Sequence, residues 1–155
     1  WDCSDMRIAL FEPEIAGNVG AVMRLGACMG AGVDLIEPLG FPWDDKRVRR
    51  AAMDYIDHVE VVRHSSFEAF REARQGSRLV LFTTRATQSS YDFEYRADDI
   101  LLFGKESAGV TDVVRASVDA SVRLPMRPQV RSLNLATSAA IALTEALRQT
   151  GSLPA

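Results

Sequence analysis

Short apolar runs alternate along this chain with stretches of helical periodicity, and that alternation restricts the possible fold more than any other feature. Met6–Phe11, Val33–Ile36, Val59–Val62, Leu79–Thr83, Ile100–Phe103 and Val118–Leu124 read as strands. Several are apolar at consecutive positions, as expected of strands covered on both faces. Asn18–Met29, Asp45–Tyr55, Phe67–Arg74, Val110–Arg115 and Asn134–Arg148 carry helical patterns, the last with a broad apolar face through Leu135, Ala139, Ala142 and Ala146. Ser65, Ser66 and Asp112 stand near helix starts, where short polar side chains cap free N–H groups. The alternation predicts an α/β domain: a mostly parallel sheet with helices on both faces and right-handed crossovers. The longest stretch without regular pattern, Arg85–Asp98, has the length of a functional loop. No repeat and no domain boundary is evident, so residues 6–155 read as one domain behind a short tail, 1–5. Met6 is the expected native start.

Composition narrows the function classes. With 155 residues, 47% hydrophobic and 25% charged, the chain has enough apolar material for one sizeable core. No apolar run approaches the ~20 residues of a membrane span. Trp1–Asp5 is acidic and polar, unlike a secretory signal. Two cysteines, Cys3 and Cys28, make neither a disulfide framework nor a metal cluster. Cys28, on an apolar helical stretch, is expected in the core, and a reducing cytoplasm is the simplest setting. The net charge of −3 argues against a nucleic-acid binder. Yet only Lys46 and Lys105 are lysines, so nearly every cation is an arginine, whose planar group binds phosphate bidentately.

Ligands of α/β domains gather at the carboxyl ends of strands, so the loops there come first. After the first strand, Glu12–Arg24 lacks the G-x-G-x-x-G dinucleotide pattern, and its two carboxylates would repel a pyrophosphate. Spacing alone favours Asn18 as a helix cap, Gly20 as a packing contact and Arg24 as a solvated side chain. Phe103–Gly109 has the glycine spacing of a phosphate loop, but Val-Thr follows where Lys-Ser/Thr should, and Glu106 points negative charge into it. A neutral or cationic ligand suits that turn better. Leu124–Leu135 is an irregular segment offering backbone groups, Met126, two arginines and Asn134, a set able to read an adenine edge and a ribose. Trp43–Arg50 places Arg47 and Arg50 at i, i+3 on one helical face, capped by Asp44 or Asp45. A solvated face is its default, and an RNA phosphate contact its functional reading. No G-x-S-x-G, C-x-x-C or H-E-x-x-H is present, and His58 and His64 flank a strand, so hydrolase triads and zinc are set aside and no metal is expected.

Four stretches together resemble the SpoU branch of the knotted SPOUT methyltransferases. They are LFEPEIAGNVGAVMRL (10–25), LIEPLGFPWDDKRVRRAAMDY (35–55), LLFGKESAG (101–109) and RLPMRPQVRSLNLATSAAIAL (123–143), and the resemblance runs from Met6 to Gly151. Within the branch the chain is similar to the minimal single-domain group that methylates the wobble ribose of tRNA, leucine isoacceptors included. Lys105, where relatives commonly carry Pro or Asn, and Thr111, where Pro often stands, depart from the pattern.

The resemblance implies a SPOUT fold with a C-terminal deep trefoil knot starting near Phe103, and a homodimer whose active sites take residues from both subunits. It implies S-adenosyl-L-methionine as methyl donor, with S-adenosyl-L-homocysteine as product, and tRNA as substrate. The donor pocket maps to Phe82, Gly104, Leu124, Met126, Ser132 and Leu133, and the catalytic set to Asn18, Arg24, Glu106 and Asn134. Arg24, reaching in from the partner subunit, would act as base by family precedent. A guanidinium is effectively always protonated, so holding a phosphate and stabilising the developing alkoxide is the better role. Arg47, Arg49, Arg50, Arg127 and Arg131 would gather at the RNA face, which makes an acidic pI tolerable. Two other readings stay open: the same chemistry on another tRNA position or on rRNA, and a knotted RNA-binding protein that transfers no methyl group. A nicotinamide- or ATP-binding domain is disfavoured by the missing glycine motifs.

Overall fold

The computed structural model describes residues 5–53, 55–130 and 133–155. Six strands form a single all-parallel sheet: β1 (Arg7–Phe11), β2 (Gly32–Ile36), β3 (Val61–His64), β4 (Leu79–Phe82), β5 (Ile100–Phe103) and β6 (Ala120–Val122). Their order across the sheet is β3-β2-β1-β5-β4-β6. The chain therefore runs outward from β1 on one side and, after β5, outward on the other. That reversal opens a crevice at the carboxyl ends of β1 and β5.

Among the described residues, five helices cover the faces: α1 (Ala16–Met29), α2 (Asp45–Ala51), α3 (Phe67–Ala73), α4 (Asp112–Ser117) and α5 (Leu135–Gln149). Strand side chains alternate between two cores, as the two-residue period requires. Ile8, Leu10, Val33, Leu35 and Leu101 pack with Val19 and Met23 of α1, Val48 of α2 and Leu143 of α5. Ala9, Phe11, Ile36, Leu81 and Leu102 pack with Phe70 of α3 and Val114 of α4. The α/β expectation, with helices on both faces, holds.

Most boundaries moved by a residue or two, for identifiable reasons. β3 begins at Val61 rather than Val59 because Val61 is the partner of Val33 in the parallel register. The second helix stops at Ala51, and a 3-10 turn over Tyr55–His58 follows. The last strand is only Ala120–Val122. Ser66 caps α3 and Asp44 caps α2, whereas Thr111 caps α4 and Asp112 is that helix's first residue. Gly20 is a packing contact as expected, since a Cβ there would collide with Ala51. Cys28 is not core: it is exposed. The buried stripe of α1 runs through Val19, Val22, Met23, Gly26 and Ala27, and Cys28 lies one turn beyond exposed Arg24 on the outward side.

The irregular stretch after β4 is held down along its length. Ser90 and Gln88 exchange backbone hydrogen bonds with Arg123, and the Tyr95 N–H donates to Gln149 Oε1 of α5 at 3.0 Å. Tyr95 is buried against Phe93, and Phe82 stacks on Phe103 at 4.9 Å. The segment thus builds the wall behind the end of β4.

Polar burial concentrates at Asp34 of β2, which is fully buried. Its carboxylate accepts hydrogen bonds from Arg7 Nε at 2.7 Å and Arg74 Nη2 at 2.8 Å, and lies 2.8 Å from His64 Nε2. Burial pushes the carboxyl up, but the bonds from Arg74, Arg7 and His64 outweigh it and hold the group below the ordinary carboxylate range. His64, set aside as a ligand, is thus part of this structural cluster. Asp34→Ala would leave the guanidinium groups without their buried partner, and an unfolding free energy lower by about 3 kcal/mol is expected in urea titration. The folded carboxyl titrates below its unfolded value, so the difference between the two proteins should be complete above about pH 4 and close as the pH falls further.

Candidate active site

A cavity of about 460 Å³ opens beside the crevice, at the carboxyl ends of β4 and β5. Its size is that of sites that bury a small organic ligand. Phe82, Leu124, Met126 and Leu133 supply apolar lining, and Gly104, Glu106 and Asn134 supply backbone and polar groups. The loop after β5 is closed by paired backbone bonds between Lys105 and Gly109, at 3.0 and 2.9 Å. It needs its glycines: Gly109 has φ +69°, and a Cβ on Gly104 would sit 2.5 Å from the Gly109 backbone. Lys105 uses its N–H in this closure, which a proline there could not do, and its Nζ pairs with Glu12 at 3.3 Å.

The tip of that loop grips the start of α1. Glu106 accepts hydrogen bonds from the backbone N–H of Glu14 at 2.9 Å and of Ile15 at 3.0 Å, and from Asn18 Nδ2 at 3.1 Å. Asn18 is accordingly not the cap of α1. Ile15 holds that position and offers no side-chain bond, so the Glu106 carboxylate, arriving from another strand, meets the free N–H groups instead. Asn18 Oδ1 accepts from Asn134 Nδ2 at 3.0 Å. Asn134 Oδ1 in turn caps α5, accepting from the N–H groups of Ala136 and Thr137. Glu106, Asn18 and Asn134 thus form one continuous relay along the cavity mouth, joining segments up to 116 residues apart. Both oxygens of Glu106 are engaged with N–H donors, which makes the group a fastener rather than a free base. Each amide donates a single N–H within the relay, and each carries a second donor.

Arg24 is not brought to this mouth. It is exposed on α1, its guanidinium 5.7 Å from the ring centre of Tyr55, and it does not line the cavity. Ser132 and Arg131 lie outside the described residues. Arg47 and Arg50 line a shallow cleft of about 480 Å³ with Phe41 and Ile15, and Ile15 also borders the main cavity. Arg49 points elsewhere, 4.0 Å from Asp57, and Arg127 is exposed. Reading the sequence missed Glu14 and Ser107, which bond each other across the crevice. Both sit inside the recognised stretches, but a separation of 93 residues left no local signal of their pairing.

Comparison with known proteins places these features in a family. The model of the SpoU rRNA Methylase family matches residues 5–144. A tRNA (cytidine(34)-2'-O)-methyltransferase of Beijerinckia indica is 53% identical over 148 residues, covering 94% of this chain and 92% of its own. A solved structure concerned with 2-OH methylation of C/U34 on tRNA superposes with a TM-score of 0.88 at 41% identity, over 93% of this chain and 95% of that one. An AdoMet-bound rRNA methyltransferase from Sinorhizobium meliloti gives a TM-score of 0.84 at 26% identity, over 92% of this chain and 56% of that one.

Removing the fastener should be visible without any activity assay. Glu106→Ala strips the acceptor from two backbone N–H groups and one amide, and a loss of about 1–2 kcal/mol is expected in chemical unfolding. Glu106→Gln, which keeps one acceptor oxygen, should lose less.

Proposed function

The chain belongs to the SpoU rRNA methylase family, and from that premise we propose that it is a tRNA 2′-O-methyltransferase, using S-adenosyl-L-methionine to methylate the wobble ribose at position 34. The observation that carries this reading is the Glu106–Asn18–Asn134 relay at the mouth of a cavity able to hold the donor. The residues present fit that donor. The lining is apolar at Phe82, Leu124, Met126 and Leu133, and no phosphate-binding glycine pattern competes for the loop. When bound, the donor supplies an electrophilic methyl group on a sulfonium.

The chain's own residues then have to place a ribose hydroxyl in line and tolerate its charge as it loses a proton. Positioning contributes much of such a rate. Asn18 and Asn134 are held rigidly by their relay bonds and present their remaining N–H groups to the substrate. The start of the 15-residue α5 adds the positive end of a helix dipole at the same spot. Arg24, never a base, supports a phosphate and the developing alkoxide, and the proton leaves to water or a nearby acceptor.

Arg24 lies outside the cavity of its own chain, so this role needs a second copy. We assign that homodimer to the outward sides of α1 and α5, where Gly17, Arg24, Cys28, Thr137 and Thr144 are exposed. Threading of the C-terminal segment beneath the Arg85–Asp98 stretch would give the trefoil knot, and the Tyr95–Gln149 bond supports that path. Arg47 and Arg50 line a cleft that shares Ile15 with the cavity, and there they would hold anticodon-loop phosphates, with Arg127 as a further contact. No helix among the described residues is long and apolar enough to cross a membrane, and a cytoplasmic site of action suits the substrate.

Transfer of labelled methyl from S-adenosylmethionine to tRNA, followed by mass-spectrometric mapping, should place the label on the ribose of nucleotide 34, in leucine isoacceptors among others. Label at another position would retain the chemistry and refute the wobble assignment. Arg47→Glu with Arg50→Glu should weaken tRNA binding by about tenfold or more at moderate salt while cofactor affinity stays unchanged. Unaltered tRNA binding would remove that surface from the account.

A further inference from the structure

The loops after β1 and β5 hold each other in both directions. While Glu106 accepts from the N–H groups of Glu14 and Ile15, the Glu14 carboxylate reaches back, accepting from the Ser107 N–H at 2.8 Å and from Ser107 Oγ at 2.9 Å. Each loop therefore supplies one carboxylate and receives the other. Glu14 is itself seated from behind. Gly40 N–H donates to Pro13 O at 2.9 Å, and a Cβ on Gly40 would come within 2.9 Å of Glu14 Cα. Glu12, two residues earlier, turns the chain at φ +46° and pairs with Lys105.

Glu106 fixes the distance between the loops, and the Glu12–Lys105 pair ties them at one edge. Glu14, opposed to Glu106 and bonded at the loop tip, restricts their relative rotation. All the bonds Glu106 accepts come from residues 14–18, so a shift at Glu14 is passed directly to Asn18. We propose that Glu14 is a positioning residue for methyl transfer: its grip on Ser107 locks the two loops in one register and so aims the Asn18 amide at the ribose. The inference rests on the methyl-transfer reading given above. The hydrogen bonds from the Ser107 hydroxyl and N–H also hold the Glu14 carboxyl below its ordinary range.

The donor cavity is walled mainly by the ends of β4 and β5 and the segment from Leu124 onward, and Glu14 does not line it. Glu14→Ala should therefore lower kcat by about tenfold or more, since small misplacements of reacting groups carry such penalties. The Kd for S-adenosylmethionine, measured by calorimetry, should change by less than about threefold. Glu14→Gln should recover kcat to within about threefold, because its oxygen accepts from the Ser107 N–H while the hydroxyl reverses to accept from the new amide. Adding Ser107→Ala to Glu14→Ala should cost nothing further, as residues acting through one contact are non-additive. A Glu14→Ala protein with wild-type kcat would overturn the proposal, as would a Glu14→Gln protein no better than Glu14→Ala. Wild-type protein that transfers no methyl group to tRNA would instead refute the parent reading.

Discussion

A carboxylate from one strand's loop, closing on the free N–H groups at the start of another strand's helix, is the contact on which the rest of the site depends. Glu106 meets α1 where the helix has no capping side chain of its own. The parallel sheet makes this possible, because β1 and β5 are neighbours whose chains leave in opposite directions. The crevice between their ends would otherwise be open to water. Glu106 and Glu14 bridge it, and the cavity beside it gains one rigid lip.

That lip has chemical consequences further along. Because Asn18 is fixed by Glu106, it can fix Asn134, and because Asn134 also caps α5, the last helix is held in register with the first. Loss of Glu106 is thus felt at the cavity mouth as misplacement of Asn18 and Asn134, the two amides it holds in line. The Asp34 cluster, on the α3 side of the sheet, serves stability and leaves this machinery alone.

The architecture was readable in the residues because apolar runs such as Ile100–Phe103 declare their period without help from the rest of the chain. So was the family, through stretches that resemble a known one. What local pattern could not convey was contact between distant segments. Asn18 looked like a cap because its spacing suits one, and only the arrival of Glu106 from β5 gives it another task. Cys28 looked buried because its neighbours are apolar, although the helix turns it outward with Arg24. Glu14 looked like a hindrance to phosphate, whereas its partner is the Ser107 hydroxyl, 93 positions away.

The position of Arg24 gives the account its most exposed claim, that one chain holds half of each active site. Asn18, Glu106 and Asn134 face their own cavity, while Arg24 on the same helix faces away. Subunit complementation tests this directly. Arg24→Ala and Asn134→Ala proteins should each be inactive, and, if the protein is the proposed homodimer, mixing them under conditions of subunit exchange should restore about a quarter of wild-type transfer, from the one intact site of each mixed dimer. A mixture as inactive as its components, with exchange verified, would contradict the shared site and place the action of Arg24 within its own chain.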